Sequence, residues 1–203
     1  MKKHIYASFL AVVFLLSACG TKPSTNPNNE EEEETTQTQI VSFYSLAENA
    51  TFTGSLDLTT TQENFVTWFN GFGDILSSIN VTGYAQMNSF GDFVTLCIGS
   101  GSSNGKIDFN FKYDVRKIKL NVSAYSKYDS YNQVYRTDLD TAVYIDSVSN
   151  EFPLVSEDGV EPNKSDIEYI YENETKNISI FNKELDHSRI FIHSMEVTYI
   201  IEK

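Results

Sequence analysis

The chain has 203 residues, with 28 Asp or Glu against 15 Lys or Arg, a formal net charge of -13 at pH 7. A body this acidic repels phosphate backbones and anionic lipid surfaces, which argues against a nucleic-acid partner. With only two cysteines, Cys19 and Cys97, there is no disulfide framework to replace a hydrophobic core.

Lys2 and Lys3 precede an apolar run from Ile5 to Leu16, followed by Leu16-Ser17-Ala18-Cys19-Gly20. A short basic start, about 12 apolar residues and small residues before a cut describe a secretory signal peptide. The run is too short to span about 30 Å of hydrocarbon as a permanent helix. Leu-Ser-Ala-Cys resembles the lipobox of bacterial lipoproteins. That resemblance implies that residues 1–18 are removed and that Cys19 receives a diacylglyceryl group, becoming the first mature residue. Stable anchoring takes two acyl signals at about 0.8 kcal/mol per buried methylene, and a diacylglyceryl group supplies both chains. The expected location is the extracytoplasmic face of a bacterial membrane, held there by lipid.

From Gly20 to Gln39 the sequence lacks aliphatic and aromatic residues and carries the run Glu30 to Glu34. Such a segment cannot bury enough apolar area to offset chain ordering, and its like charges extend it. Residues 19–39 are therefore expected to be a lipidated cysteine followed by a disordered acidic tether. Residues 40–203 are expected to form a single domain.

Within that domain apolar residues recur with period two. Lys106–Lys112 alternates Ile107, Phe109 and Phe111 with polar residues, and Lys117–Ala124 does the same with Ile118, Leu120 and Val122. Met195, Val197, Tyr199 and Ile201 repeat the pattern near the end. This alternation predicts strands with one buried face. Shorter strands are expected at 40–46, 53–59, 80–88, 93–98, 141–148, 167–171, 177–181 and 189–193. Turns are expected near Gly54, Asn104-Gly105, Asp129-Ser130 and Asp158-Gly159. Only residues 62–79 could hold a helical turn or two. The expected fold class is all-β, an antiparallel β-sandwich of jelly-roll type.

The segments Leu96–Ser100, Gly105–Phe109, Ile118–Tyr125 and Arg189–Tyr199 together resemble a strand module of exported bacterial proteins. The likeness covers residues 90–199. It implies a jelly-roll sandwich similar to carbohydrate-binding domains and carries no catalytic signature.

Gly101-Ser102-Ser103-Asn104-Gly105 matches the Gly-x-Ser-x-Gly pattern of hydrolase nucleophile elbows, with His187 and His193 downstream. The elbow needs a helix after the serine, whereas a period-two strand follows, so a strand-to-strand link accounts for the same letters. Two histidines without a His-Glu-x-x-His or Cys-x-x-Cys spacing do not describe a zinc site. Cys97 sits in the apolar run Phe93–Ile98 and reads as a small buried hydrophobe.

Tyr125, Tyr128, Tyr131, Tyr135 and Arg136 crowd one polar segment. Tyrosine rings offer flat apolar area with a polar tip, suited to sugar faces or a protein partner. Asp138 and Asp140 can face one way in an extended loop and offer hard oxygen ligands for structural calcium. The sequence thus leads to a membrane-anchored surface lipoprotein, not an enzyme, whose β-sandwich binds a glycan. The alternative is a protein-interaction or envelope-structural module with no small-molecule ligand.

Overall fold

Alternating apolar residues give this chain three unusually long strands, and the remaining strands pair along their edges. The computed structural model describes residues 35–42, 56–57, 75–90, 93–183 and 188–201. The described strands are β1 (Thr35–Ser42), β2 (Leu56–Asp57), β3 (Leu76–Gly83), β4 (Ala85–Phe90), β5 (Phe93–Ile98) and β6 (Gly105–Ala124). They continue with β7 (Ser126–Asp129), β8 (Val134–Thr137), β9 (Ala142–Ile145), β10 (Ser147–Pro153), β11 (Ser165–Asn182) and β12 (Ile190–Ile201). Among the described residues, no helix is long and apolar enough to cross a membrane. The signal peptide, Cys19, the tether as far as Glu34, and His187 lie outside the described residues.

The main sheet runs β10-β9-β11-β6-β12-β5-β4-β2, with β1 added on β12 and β3 added on β6; β7 and β8 form a separate hairpin. Every pairing is antiparallel. One edge of β6 is shared, residues 105–111 with β3 and 115–124 with β12. The far edge of β12 is shared in the same way by β5 and β1. A backbone edge bonds one partner at a time, so the partners diverge where they change over and the sheet curls. Its inner face closes on one contiguous core running from Val41 and Ile79 through Leu96, Phe109 and Ile145 to Val197. The result is the expected all-β antiparallel sandwich. Each fully buried Ile or Phe in it contributes about 1.5–3 kcal/mol.

The long strands switch faces partway. In β6 the core-facing residues include Ile107, Phe109, Phe111 and Val115, then Ile118, Leu120 and Val122. Lys117 opposes Thr198 while Val115 opposes Tyr199, so Arg116 is an extra residue in the ladder. In β12 Ile190 and Ile192 are buried, then Met195, Val197 and Tyr199, with His193 the extra residue. In β11 the register shifts between Ile170 and Asn177, separating buried Ile167 from Ile178 and Ile180. Such bulges flip the side-chain parity and bend the strand while its pairing continues.

Each flip looks like a strand end in the sequence. That is why 106–112 and 117–124 read as two strands but form one, as do 167–171 with 177–181 and 189–193 with 195–201. The opposite error occurs at Tyr84, between β3 and β4, and at Asp146, whose positive φ of 62° separates β9 from β10. Of the residues expected to hold a helical turn, Leu76–Ile79 lie in β3 and 62–74 are outside the described residues. Ordered structure also starts earlier than expected. Thr35–Gln39 belong to β1, opposite Ile201–Val197, and the Tyr199 hydroxyl donates to Gln37 Oε1 at 3.2 Å. Backbone pairing with β12 supplies the order that apolar burial cannot.

The Gly/Ser-rich link between β5 and β6 is fastened by Asn182. Its Oδ1 accepts from the Gly105 amide at 2.7 Å, and its Nδ2 donates to Ser188 Oγ at 3.0 Å. A β-carbon on Gly105 would lie 1.9 Å from the Tyr84 carbonyl oxygen and 2.7 Å from the Gly99 nitrogen. Both neighbours are backbone. Gly105→Ala is therefore expected to destabilise the domain by about 1–3 kcal/mol, read as a lower urea midpoint with an unchanged slope. A midpoint within error of the unsubstituted chain would contradict this packing.

Candidate functional site

At the start of β12 three separate stretches of chain are sewn together. The Tyr125 amide donates to the Arg189 carbonyl at 3.0 Å, and the Asp138 amide donates to the Tyr125 carbonyl at 2.9 Å. Between Tyr125 and Asp138 the chain makes the β7–β8 hairpin and returns, which brings the two ends of that excursion beside Arg189.

The side chains lock the same point. Arg189 Nε donates to Asp138 Oδ2 at 2.7 Å and Nη2 donates to Oδ1 at 2.8 Å, while the Arg189 amide adds a third bond to Oδ2 at 3.0 Å. A two-pronged guanidinium–carboxylate pair fixes direction as well as distance. The guanidinium carbon lies 3.6 Å from the centre of the Tyr125 ring, within range of a cation–π contact. That ring tilts against Phe191 at 5.0 Å. The Asp138 side chain is 6% exposed. Burial works against the Arg189 charge, but the bond to Asp138 outweighs it and holds the guanidinium pKa above its usual value. Burial raises the Tyr125 hydroxyl pKa, and the neighbouring Arg189 partly offsets the rise.

Over this clamp lies an open groove of about 820 Å³. Tyr125, Lys127, Asn132, Val134, Tyr135, Arg136, Thr137, Asp138, Asp158, Gly159 and Arg189 line it. Lys127 opposes Arg136 across the hairpin, and Tyr128 opposes Tyr135. The hairpin tip is rigid: Asp129 accepts from the Tyr131 amide at 3.0 Å, Asn132 Nδ2 at 2.9 Å and Arg136 Nη2 at 2.7 Å. Bonds from Asn132 first, and then Arg136, hold the Asp129 carboxyl well below the usual carboxylate range. The far wall is fixed by a bridge from Tyr135 to Gly159 and by Thr137 Oγ1 donating to the Val160 carbonyl at 2.8 Å.

The tyrosines expected to act together take different positions around the hairpin. Tyr125, Tyr135 and Arg136 line the groove. Tyr128 is not in the lining and stacks edge-on against Tyr135 at 5.2 Å. Tyr131 stands at the tip, 92% exposed. The two carboxylates considered for calcium are committed elsewhere, Asp138 to Arg189 and Asp140 to Lys183 at 2.9 Å. Among the described residues no three His, Cys, Asp or Glu side chains converge. Calcium finds no prepared ligand set at that loop.

Arg189, Thr137, Asp158 and Gly159 were not legible as parts of one site. Arg189 and Asp138 are 51 residues apart, and no local pattern marks such a pair. The Gly-x-Ser-x-Gly segment is a link running directly into β6, with Ser103 exposed. Among the described residues, Ser123 and His193 meet, with Oγ and Nε2 2.9 Å apart, and both are buried. Cys97 is buried too, and desolvation pushes its thiol up to about 12, which makes it a poor nucleophile.

No family model and no curated protein matches this sequence. Solved structures with some likeness include a family 29 carbohydrate-binding module from Piromyces equi, at 8% identity and a TM-score of 0.36, over 81% of this chain and 91% of that one. The TmCBM61 module, solved with β-1,4-galactotriose, is similar at 11% identity and a TM-score of 0.33, over 64% of this chain and 92% of that one. The catalytic unit of a GH87 α-1,3-glucanase from Streptomyces thermodiastaticus is similar at 9% identity and a TM-score of 0.31, over 79% of this chain and 25% of that one. At such scores the likeness carries no argument for a ligand. Fold and site rest on this chain's own strands and side chains.

His193 gives the domain a pH signature. Burial, assisted by the nearby Lys164 charge, pulls its pKa from 6.5 down to about 4. Between those values the unfolded chain binds the proton and the folded chain does not. Stability is therefore intact above pH 6.5 and declines as pH falls toward 4, by up to ~3 kcal/mol. Urea midpoints measured from pH 7.5 to 4.5 are expected to fall in this window, and His193→Gln is expected to flatten the slope. An equal slope in both proteins would contradict the assignment.

Proposed function

We propose that this chain is a lipid-anchored extracytoplasmic protein, not an enzyme, whose β-sandwich binds a glycan in the groove beside the β7–β8 hairpin. The observation that carries the reading is the mixed lining of that groove. Tyr135 and Val134 supply apolar area together with the edge of Tyr125, whose face Arg189 covers, while Lys127, Asn132, Arg136, Thr137 and Asp158 supply donors and acceptors around it. Sugars present that same combination, apolar ring faces edged with hydroxyls. The clamp beneath fixes the wall before any ligand arrives, which lowers the ordering cost of binding. The acidity of the whole chain disfavours polyanionic partners and leaves neutral polysaccharides favoured.

Anchoring rests on the Leu-Ser-Ala-Cys19 resemblance and its preceding apolar run. A protein partner is the competing reading, favoured by exposed Val134, Leu139 and Val160 around the groove. A glycan array probed with the mature chain carrying Cys19→Ser separates the two. Saturable retention that persists at high salt is expected. Tyr135→Ala and Lys127→Ala are expected to weaken it about tenfold or more, about 1.4 kcal/mol in each case, with Tyr131→Ala close to neutral. Absence of any retained glycan, or loss caused by Tyr131→Ala alone, would count against the groove.

A further inference from the structure

The groove and the point where the tether joins the domain lie at opposite ends of one strand. Arg189, immediately before β12, lines the groove. Ile201, its last residue, pairs with Thr35, the first residue of β1. A strand rises about 3.3 Å per residue, so the two points are separated by roughly 35–40 Å along β12. β1 is held to β12 over the whole of Thr35–Ser42, so a chain arriving from Cys19 enters at the end remote from the groove.

We infer that the groove faces away from the anchoring membrane and takes polysaccharide lying beyond that leaflet, not a sugar headgroup within it. The inference rests on the lipidation of Cys19 and on the groove reading given above. Between Cys19 and Thr35 there are 15 residues, which as a flexible coil would span roughly 20 Å. That reach would lift the tethered end clear of the headgroups. To bring the groove back to the same bilayer the domain would have to lie on its side. Charge opposes this posture: of the 28 acids, five are Glu30 to Glu34, leaving 23 in residues 40–203 against 12 Lys or Arg, a net charge of -11. An anionic leaflet repels such a body at close approach.

Energy transfer to the membrane tests the orientation without a ligand. The full chain, expressed where it is lipidated, is reconstituted in phosphatidylethanolamine and phosphatidylglycerol vesicles carrying a headgroup acceptor dye. A donor is attached at Thr36→Cys or at Tyr131→Cys, with Lys127→Cys as a second position at the groove end. Cys97 is buried and does not compete for label. Transfer from Thr36→Cys is expected to exceed transfer from either groove-end position by at least about twofold, given the separation along β12. Equal or reversed transfer overturns the inference. Vesicle association that survives Cys19→Ser overturns it as well, because the lipid is then not the anchor. A blank glycan array alongside graded transfer would sink the groove reading alone and leave the orientation standing.

Discussion

The Arg189–Asp138 pair, seated on the Tyr125 ring, is the interaction on which the groove depends. It joins the residue before β12, the residue after β6 and the residue after β8, and the β7–β8 hairpin has no place in the main sheet. Without this fork the hairpin would be held to the sandwich by the Tyr125–Arg189 backbone bond at its base and the contacts near Gly159. Both charges are largely out of water, so either one left alone would be costly. That cost forces the carboxylate, the guanidinium and the ring to arrive together, and the same cost keeps the wall of the groove in one shape.

The clamp is reachable because the long strands bend. Arg116 and His193 are the extra residues that turn β6 and β12 while leaving them paired. The bulge at His193 also puts that ring beside Ser123 on the outward face of the sheet, where both are nevertheless buried. A histidine and a serine at hydrogen-bond distance would suggest nucleophilic catalysis if they were open to a substrate. Here they are sealed, and desolvation keeps the ring neutral down to about pH 4. The groove itself offers hydrogen-bonding groups and ring contact.

The class of fold was legible in the sequence because alternation is a local property. Ile107, Phe109 and Phe111 announce a buried face without reference to any partner. Continuity was not legible, since a bulge changes parity in the same way that a strand end does. The start of β1 was hidden for a different reason. Thr35–Gln39 carry no apolar signal, and their order comes from backbone bonds to β12, whose sequence lies more than 150 residues away. In the site, the cluster of tyrosines marked the β7–β8 hairpin but could not say which rings reach the groove. Tyr128 pairs with Tyr135 across the hairpin and Tyr131 stands at its tip, and neither lines the groove. Asp138 drew notice as a hard-cation ligand, whereas its actual partner, Arg189, is supplied by tertiary pairing alone.

A double-mutant cycle on the clamp tests the central claim most directly. Unfolding free energies of the unsubstituted domain, Asp138→Asn, Arg189→Gln and the double variant give the energy with which the two side chains depend on each other. A coupling of about 2 kcal/mol is expected for a forked, largely buried pair, with the double variant scarcely less stable than either single one. Additive losses within about 0.5 kcal/mol would show that the pair acts as two independent surface charges. The groove would then lack the support that this account assigns to it.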